Sequence, residues 1–544
     1  MTQSRASGVL IHPTSLPGKY GIGDLGEQAY KFIDFLIQNY QKYWQILPLG
    51  PTSYGNSPYF CYSAFAGNPL LINLEWIASE GLIEQKDLDA LPDYPEGEVD
   101  FDLVISTKLP LLKKASENFD SKATKERKRQ FHDFCHKYAY WLEDYALFMA
   151  LKEHFGDLSW NAWEPTIANR EPAAIAEWKE KLADLIYFHK WAQSEFFRQW
   201  TTLKSYANEN GVEIFGDIPI YVAHDSADVW ANPEIFRLNK ETKAVKWMAG
   251  VPPDYFSETG QLWGNPVYNW RMLKRTNFDW WLKRVEAILD YVDLIRIDHF
   301  RGFDAFWAVM EGEKTAMNGR WIGAKGREFF EALDRKLGKL PVVAEDLGVI
   351  TPGVEALRDD FGFPGMKILQ FAFDSDRENV FLPFNYDNHH CVVYTGTHDN
   401  DTTVGWFNQR TPEEQAKVVN YLGGVGDEGI HWALIRLAMG SVASICVTPM
   451  QDLMGLDENF RMNTPGTASG NWSWRYTADQ LTEDIGQKIK YMTYVYGRAQ
   501  DRDWVENDGQ AKQLNNKKDL PIPILKDKDK GGKKPKFLKN LLNR

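Results

Sequence analysis

Eight short apolar runs recur along the chain and are separated by stretches in which apolar residues follow a helical spacing. Most of the runs are nearly continuous, whereas half-exposed strands alternate apolar and polar residues; continuous runs are typical of parallel strands buried on both faces. They cover residues 8–13, 43–49, 212–222, 292–300, 340–348, 366–373, 390–400 and 444–452.

Amphipathic segments such as FDWWLKRVEAILDYV and GREFFEALDRKLGK lie between many of these runs. Strand and helix in eightfold alternation predict an α/β fold, a (β/α)8 TIM barrel. We expect the barrel and its insertions to occupy residues 1–505, with a large mainly helical insertion after strand 2 (about 68–210) and a loop-rich insertion over the cleft (about 230–275). Residues 506–544 form a basic tail that we expect to be disordered.

Composition narrows the classes of function. The 544 residues are 44% hydrophobic and 25% charged, with a formal net charge of -13, which argues against nucleic acid or an anionic membrane as partner. The N-terminus has no signal-peptide pattern, and no apolar run approaches the roughly 20 residues that span a bilayer. The four cysteines lack CxxC spacing, which indicates reduced cysteines in a cytoplasmic protein and no zinc site.

Aromatic residues are abundant: 21 Trp, 24 Tyr and 31 Phe. Many lie in polar, glycine-rich segments such as GQLWGNPVYNW, GNWSWRY and SYGNSPYFCYSAF. Most aromatic side chains fill cores, but a ring in a polar loop offers a flat apolar platform with a polar edge, which suits the face of a sugar.

Polar residues mark the ends of several predicted strands. Three of those strands end in carboxylates: Asp298, Glu345 and Asp399. In barrels of this type the C-terminal ends of the strands build the active site. The sequence therefore predicts three carboxylates at one rim.

The stretch DLIRIDHFRGF places charged residues within a predicted buried strand. Side chains two apart on a strand share a face, so Arg296 and Asp298 point to the barrel axis while Ile295 and Ile297 pack outwards. A nearby guanidinium would lower the pKa of Asp298 and keep it charged, as a nucleophile requires. An ion pair that only holds the rim together explains the same pattern equally well. Glu345 has more apolar surroundings, which would raise its pKa and favour an acid.

Motifs in order along the chain resemble the 4-α-glucanotransferases of glycoside hydrolase family 77, in the α-amylase clan. They include HPTSLPG, QILPLGPTSYGNSPY, AGVPPDYFSETGQLWGNPVY, LIRIDHFRGF, VVAEDLG, TGTHDND and RMNTPGT, and the resemblance covers residues 5–500. It implies a retaining double displacement on α-1,4-glucans without a cofactor or metal. Donors and acceptors would be malto-oligosaccharides and larger α-glucans, with glucose as acceptor or product.

The resemblance also assigns roles to residues. It implies Asp298 as nucleophile, Glu345 as general acid/base and Asp399 as the group that stabilises the transition state. Implied substrate contacts are Tyr54, Tyr59, Asp217, Trp263, Asn265, Arg296 and His398.

Three rival interpretations stay open at this point. An α-glucan hydrolase would use the same carboxylates. A metal-dependent barrel hydrolase could use His12 and His398, although HxH and HExxH spacings are absent from the sequence. A glucan-binding protein without catalysis leaves the three strand-end carboxylates unexplained. The sequence does not predict the oligomeric state.

Overall fold

The computed structural model describes residues 5–253 and 257–500, so the predicted tail at 506–544 lies outside the described residues. These ranges contain twelve β-strands: β1 (Ala6–Leu10), β2 (Tyr43–Gln45), β3 (Glu213–Pro219), β4 (Trp247–Val251), β5 (Gln261–Pro266), β6 (Leu294–Asp298), β7 (Ala305–Met310), β8 (Gly319–Gly323), β9 (Val342–Ala344), β10 (Gly365–Ile368), β11 (Cys391–Tyr394) and β12 (Ile445–Pro449).

Eight of the strands form a parallel barrel in the order β10-β11-β12-β1-β2-β3-β6-β9. The Ala344 N–H, at the end of β9, donates to the Pro364 oxygen just before β10 at 2.9 Å and closes the ring. Each of the eight barrel strands lies within a predicted apolar run or starts one or two residues before it. The predicted (β/α)8 barrel with a helical insertion is confirmed.

Helices cover the barrel and form the insertion. In the described ranges they are α1 (Glu27–Gln38), α2 (Leu74–Ser79), α3 (Gln85–Asp89), α4 (Phe101–Lys122), α5 (Lys125–Lys137), α6 (Ala139–His154), α7 (Pro165–Ala168), α8 (Pro172–Lys181), α9 (Ala183–Glu209), α10 (Ala227–Ala231), α11 (Trp270–Arg275), α12 (Asp279–Leu289), α13 (Gly326–Leu337), α14 (Pro352–Asp360), α15 (Thr403–Asn408), α16 (Pro412–Leu422), α17 (Ile430–Gly440), α18 (Met450–Met454) and α19 (Glu483–Val495). Within residues 5–253 and 257–500, no helix has the length and apolarity to cross a membrane.

Helices α2 to α9 lie between β2 and β3, where the mainly helical insertion was expected. The long helix α9 is its centre and packs against α4, α5 and α6. Its buried side chains include Trp191 and Trp200, together with the ion pair between Glu195 and Arg198. Burying a charged pair is tolerated because each member supplies the partner that the other lacks.

A second sheet was not predicted. Strands β5-β4-β7-β8 form a four-stranded antiparallel sheet beside the barrel mouth. The segment 230–275, expected to be a loop-rich insertion, thus contributes β4 and β5 to it. Within the sheet β4 pairs with β7, which lies about 60 positions further along the chain. A window of local sequence does not contain such a partner, so hydrophobic periodicity alone missed this sheet.

Candidate active site

Arg296 links two carboxylates at the mouth of the barrel. It projects from β6 on the same face as Asp298, and its Nη2 lies 2.8 Å from Asp298 Oδ1. Its Nη1 donates to Asp217 Oδ2 of the neighbouring β3 at 2.6 Å. Ile295 and Ile297, which alternate with Arg296 and Asp298 along the strand, are buried in the hydrophobic core. The alternation read from the sequence is confirmed.

Glu345 lies beside Asp298 because their strands are neighbours. In the parallel register between β6 and β9, Ile297 is opposite Ala344, so the next residues are Asp298 and Glu345. Adjacent strands are about 4.8 Å apart. His299 adopts a left-handed backbone conformation, with φ of +51°, and its N–H donates to Glu345 Oε2 at 2.7 Å. Strained backbone of this kind is common where a site fixes a side chain.

Asp399 follows β11, three strands from β6 around the barrel, and its charge acts on Asp298. Its Oδ1 accepts a hydrogen bond from Asn463 Nδ2 at 2.7 Å, and its main-chain oxygen accepts one from Arg461 at 2.6 Å. The His398 ring lies 3.4 Å from Asp399 Oδ2. Almost half of the Asp399 side chain is exposed, so its carboxylate remains open to a ligand.

Tyr59 connects these groups. Its hydroxyl donates to Asp217 Oδ2 at 2.7 Å, and its ring stacks on His398 with centroids 5.0 Å apart and an interplanar angle of 17°. The ring of Trp472 lies 5.9 Å from Tyr59 and 6.0 Å from His398. Asp217, Tyr59, His398 and Trp472 therefore form one continuous wall.

Two further predicted residues lie on β5. Trp263 is partly buried, and its ring meets the ring of His299 edge-on, with centroids 4.8 Å apart. This contact brings the antiparallel sheet to the barrel mouth. Asn265 is 5% exposed and its amide donates to the Val222 oxygen at 2.9 Å, which favours a role in holding the loop.

Tyr54 is separated from this wall. It begins a short 3-10 turn at Tyr54–Asn56, and 73% of it is exposed. Gly55 in this turn has a left-handed φ of +65°, and a Cβ built there would lie 3.3 Å from the Ala468 oxygen. The turn that carries Tyr54 therefore adjoins the loop that follows Asn463.

Sequence reasoning gave no role to four of these residues: Arg461, Asn463, Trp472 and His299. Arg461 and Asn463 lie in the motif RMNTPGT, and Trp472 lies in the aromatic segment GNWSWRY. Both segments stood out in the sequence, but the sequence did not indicate which site residues they contact. Asn463 contacts a residue 64 positions away, which only the closed barrel reveals.

Comparison with known proteins decides the family. The family of 4-α-glucanotransferases, glycoside hydrolase family 77, matches residues 11–482. The chain belongs to this family.

Curated relatives are similar over about nine-tenths of the chain. A 4-α-glucanotransferase of Synechocystis is 57% identical over 499 residues, covering 92% of this chain and 99% of the relative. One of Thermus thermophilus is 51% identical over 498 residues, covering 90% and 99%. The amylomaltase of Streptococcus agalactiae, solved in complex with acarbose, has a TM-score of 0.88 at 42% identity, with 91% and 99% covered. The predictions of a barrel enzyme and of 4-α-glucanotransferase activity on α-1,4-glucans are confirmed.

Electrostatics in this family 77 site differ in one respect from expectation. Burial raises the pKa of Asp298 above its ordinary value; Arg296 opposes the rise, and the nearby carboxylates of Asp217, Glu345 and Asp399 add to it. Arg296 does lower the pKa of Asp298, but the expected net lowering is wrong, because burial and several nearby carboxylates outweigh one guanidinium.

Burial also raises the pKa of Glu345, as expected from its surroundings, while Arg296 and the backbone N–H groups of Leu347 and His299 oppose the shift. Burial lowers the pKa of His398, so its imidazole is a neutral hydrogen-bonding group. His12 is buried as well, which lowers its pKa to about 3. In the part of the chain that the structure describes, no cluster of three His, Cys, Asp or Glu side chains could hold a metal ion.

The raised pKa of Asp298 predicts a cost in stability. A carboxyl that binds its proton more tightly in the folded state stabilises the fold fully below about pH 4, and this contribution is lost as the pH rises. We therefore expect Asp298→Asn to raise the free energy of unfolding at neutral pH by about 1–2 kcal/mol, because the amide removes a poorly solvated negative charge from the active site. Thermal unfolding between pH 4 and 8 measures this, and the gain should shrink towards pH 4.

The exposed Asp93 offers the matched control, since Asp93→Asn makes the same chemical change outside the site. An equal gain in both variants would contradict the prediction, because the effect would then come from net charge.

Proposed function

We propose that the enzyme transfers glucan segments by a retaining double displacement in which Asp298 is the nucleophile and Glu345 the general acid/base. The observation that supports this assignment is their adjacency in register at the ends of β6 and β9. Carboxyl groups at the ends of neighbouring strands are close enough to act on one glycosidic bond from two sides, as retaining chemistry requires.

In the first step, an Asp298 oxygen attacks the anomeric carbon of an α-1,4-linked glucose unit. Glu345 gives its proton to the glycosidic oxygen, the carbon–oxygen bond to the leaving glucan breaks, and an ester bond to Asp298 forms. In the second step, Glu345 takes the proton from the 4-hydroxyl of an acceptor glucan. That oxygen displaces Asp298, and a new α-1,4 bond forms with the original configuration.

The two carboxyls must hold one proton between them for the first step. Arg296 lies 2.8 Å from Asp298, whereas the Glu345 oxygens accept hydrogen bonds from backbone N–H groups. A full positive charge favours the ionised carboxylate more than neutral donors do. Arg296 therefore places the negative charge on Asp298, and the shared proton resides on Glu345.

The remaining side chains bind sugar in this proposal. The half-exposed carboxylate of Asp399, held by Asn463, accepts hydrogen bonds from hydroxyls of the reacting glucose and favours its distorted ring. Tyr59 supplies an apolar face to the donor sugar. Tyr54 and Trp263 offer rings to the glucan further along the cleft, and Arg296 with Asp217 fixes the polar floor.

Donors and acceptors in this proposal are malto-oligosaccharides and larger α-glucans, and glucose serves as the smallest acceptor and as a product. Transfer prevails over hydrolysis because bound acceptor sugar competes with water for the ester. An α-glucan hydrolase with the same carboxylates would give a different product pattern.

Incubation with maltotriose tests this proposal. We expect glucose together with a ladder of oligosaccharides longer than maltotriose, separated by chromatography, with little net gain in reducing ends, because each bond broken is replaced by a bond made. Shorter sugars alone, with a steady rise in reducing ends, would establish the hydrolase instead.

We also propose a cytoplasmic location, supported by the cysteines. Cys61, Cys135, Cys391 and Cys446 are all free. Secreted proteins commonly form disulfides, whereas reducing compartments keep thiols free. Cell fractionation followed by detection of the protein would test this location.

A further inference from the structure

A wide groove lies outside the catalytic cleft, between the antiparallel sheet and α11. It has a volume of about 960 Å³, and none of the ten predicted site residues lines it. Six basic residues line it: Arg237, Arg271, Lys274, Arg275, Arg320 and Lys325. The groove is large enough for a sugar-sized ligand.

The floor of the groove is apolar and aromatic. In the register of the sheet, Ile322 on β8 is opposite Phe306 on β7, and Arg320 shares their face because it is two residues from Ile322. Trp247 on β4 also lines the groove, and the Arg320 guanidinium lies 4.2 Å from the centre of its ring. Phe306 is buried, whereas Trp247 and Ile322 are partly exposed and offer apolar surface beneath a charged rim.

The rim carries an excess of positive charge. Arg237, Arg271, Arg275 and Arg320 are exposed and have no ion pair within residues 5–253 and 257–500. Lys274 and Lys325 share a single carboxylate, that of Glu328, at 3.2 and 3.7 Å. Among the described residues that line the groove there is no Asp or Glu.

This concentration of cations stands out on a chain with a formal net charge of -13. Like charges brought together repel each other, and an anion between them relieves the repulsion. A neutral glucan, the substrate of the catalytic cleft, does not need them.

The kind of anion follows from the side chains. Guanidinium groups present paired N–H donors that match two oxygens of a phosphate. The partly exposed ring of Trp247 suits the apolar face of a sugar. We propose that this groove binds a sugar phosphate monoester, with the phosphate held by the arginines of α11 and the sugar face on Trp247. Its source is either a free hexose phosphate or a phosphorylated unit within an α-glucan chain.

Phosphorus NMR titration of the full-length protein with glucose 6-phosphate at low ionic strength tests the proposal. We expect a dissociation constant of about 1 mM or below. The double variant Arg271→Gln/Arg275→Gln should weaken binding by about tenfold or more, because both arginines are exposed and are free of other ion pairs in the described ranges. Transfer activity on maltotriose should not change in this variant.

The control variant Arg335→Gln/Arg377→Gln removes two exposed arginines elsewhere on the surface and lowers the net charge equally. It should bind glucose 6-phosphate as the wild type does. A phosphorylated maltodextrin that binds at least about tenfold more tightly than glucose 6-phosphate, with the same loss in the α11 variant, identifies the chain-borne phosphate as the source; similar affinities identify the free sugar phosphate.

Three results would overturn the proposal. The first is no saturable binding, and the second is equal binding by wild type and the α11 variant, which would move the ligand to another site. The third is inorganic phosphate or an RNA oligonucleotide that binds as tightly as glucose 6-phosphate through the same arginines. The sugar would then contribute nothing, and the groove would be a general anion or nucleic-acid site.

Discussion

Replacing Asp298 with Asn is expected to lower the rate of glucan transfer by about 10⁴-fold or more, since removal of a covalent nucleophile can cost on the order of 10⁶-fold. The amide has the same shape but no negative charge with which to attack the anomeric carbon. Arg296 would keep its hydrogen bond to Asp217, so the floor of the site would stay in place. Initial rates of glucose release from saturating maltotriose measure the change.

Loss of folding cannot explain this result, because the same variant is expected to be more stable than the wild type at neutral pH. Asp93→Asn serves again as the control and should retain full activity. If Asp298→Asn kept a tenth or more of the wild-type rate, the carboxylate at 298 would not be the nucleophile. The ion pair with Arg296 would then only hold the rim together, as the sequence allowed.

Replacing Glu345 with Gln is expected to separate the two steps of the reaction. Transfer from maltotriose should fall by about 10³-fold, since general acid–base catalysis contributes on the order of 10²–10⁴-fold. With α-maltosyl fluoride as donor, the first step should proceed, because fluoride leaves without a proton. The second step lacks its base, so the ester should accumulate. Intact-protein mass spectrometry should show one added maltosyl group, and peptide mapping should locate it on Asp298.

Two variants make this experiment decisive. The double variant Asp298→Asn/Glu345→Gln should show no added mass, because the attacking oxygen is missing. Glu355→Gln, an exposed carboxylate on α14, should behave as the wild type. An adduct on a residue other than Asp298, or near-normal transfer from maltotriose by Glu345→Gln, would refute the assignment of roles.

The local pattern of apolar residues was sufficient to predict the barrel. Buried parallel strands are apolar on both faces, so each of the eight left a short run that can be recognised without its neighbours. The same local logic placed Arg296 and Asp298 on one face of β6, since strand geometry fixes the direction of alternate side chains. It also collected Asp298, Glu345 and Asp399 at one rim, because all parallel strands end on the same side.

Contacts between residues far apart in the chain could not be predicted from the local pattern. The antiparallel sheet combines segments that were predicted separately. The hydrogen bond from Asn463 to Asp399 joins residues 64 positions apart, and the one from Tyr59 to Asp217 joins residues 158 positions apart. The basic groove depends on that sheet, so it could not be predicted either. The predicted direction of the Asp298 pKa shift was wrong for a related reason, because burial and the number of nearby carboxylates are properties of the assembled site.

The sequence by itself determined the barrel, the rim on which the chemistry lies and, through its motifs, the family. Only the tertiary structure decided which residues support that rim, how strongly the charges at the barrel mouth oppose one another, and that a cationic groove lies beside it. The physical reason is range: periodicity and strand-end chemistry are set by neighbours in the chain, whereas hydrogen-bond partners, solvation and charge clusters are set by neighbours in space.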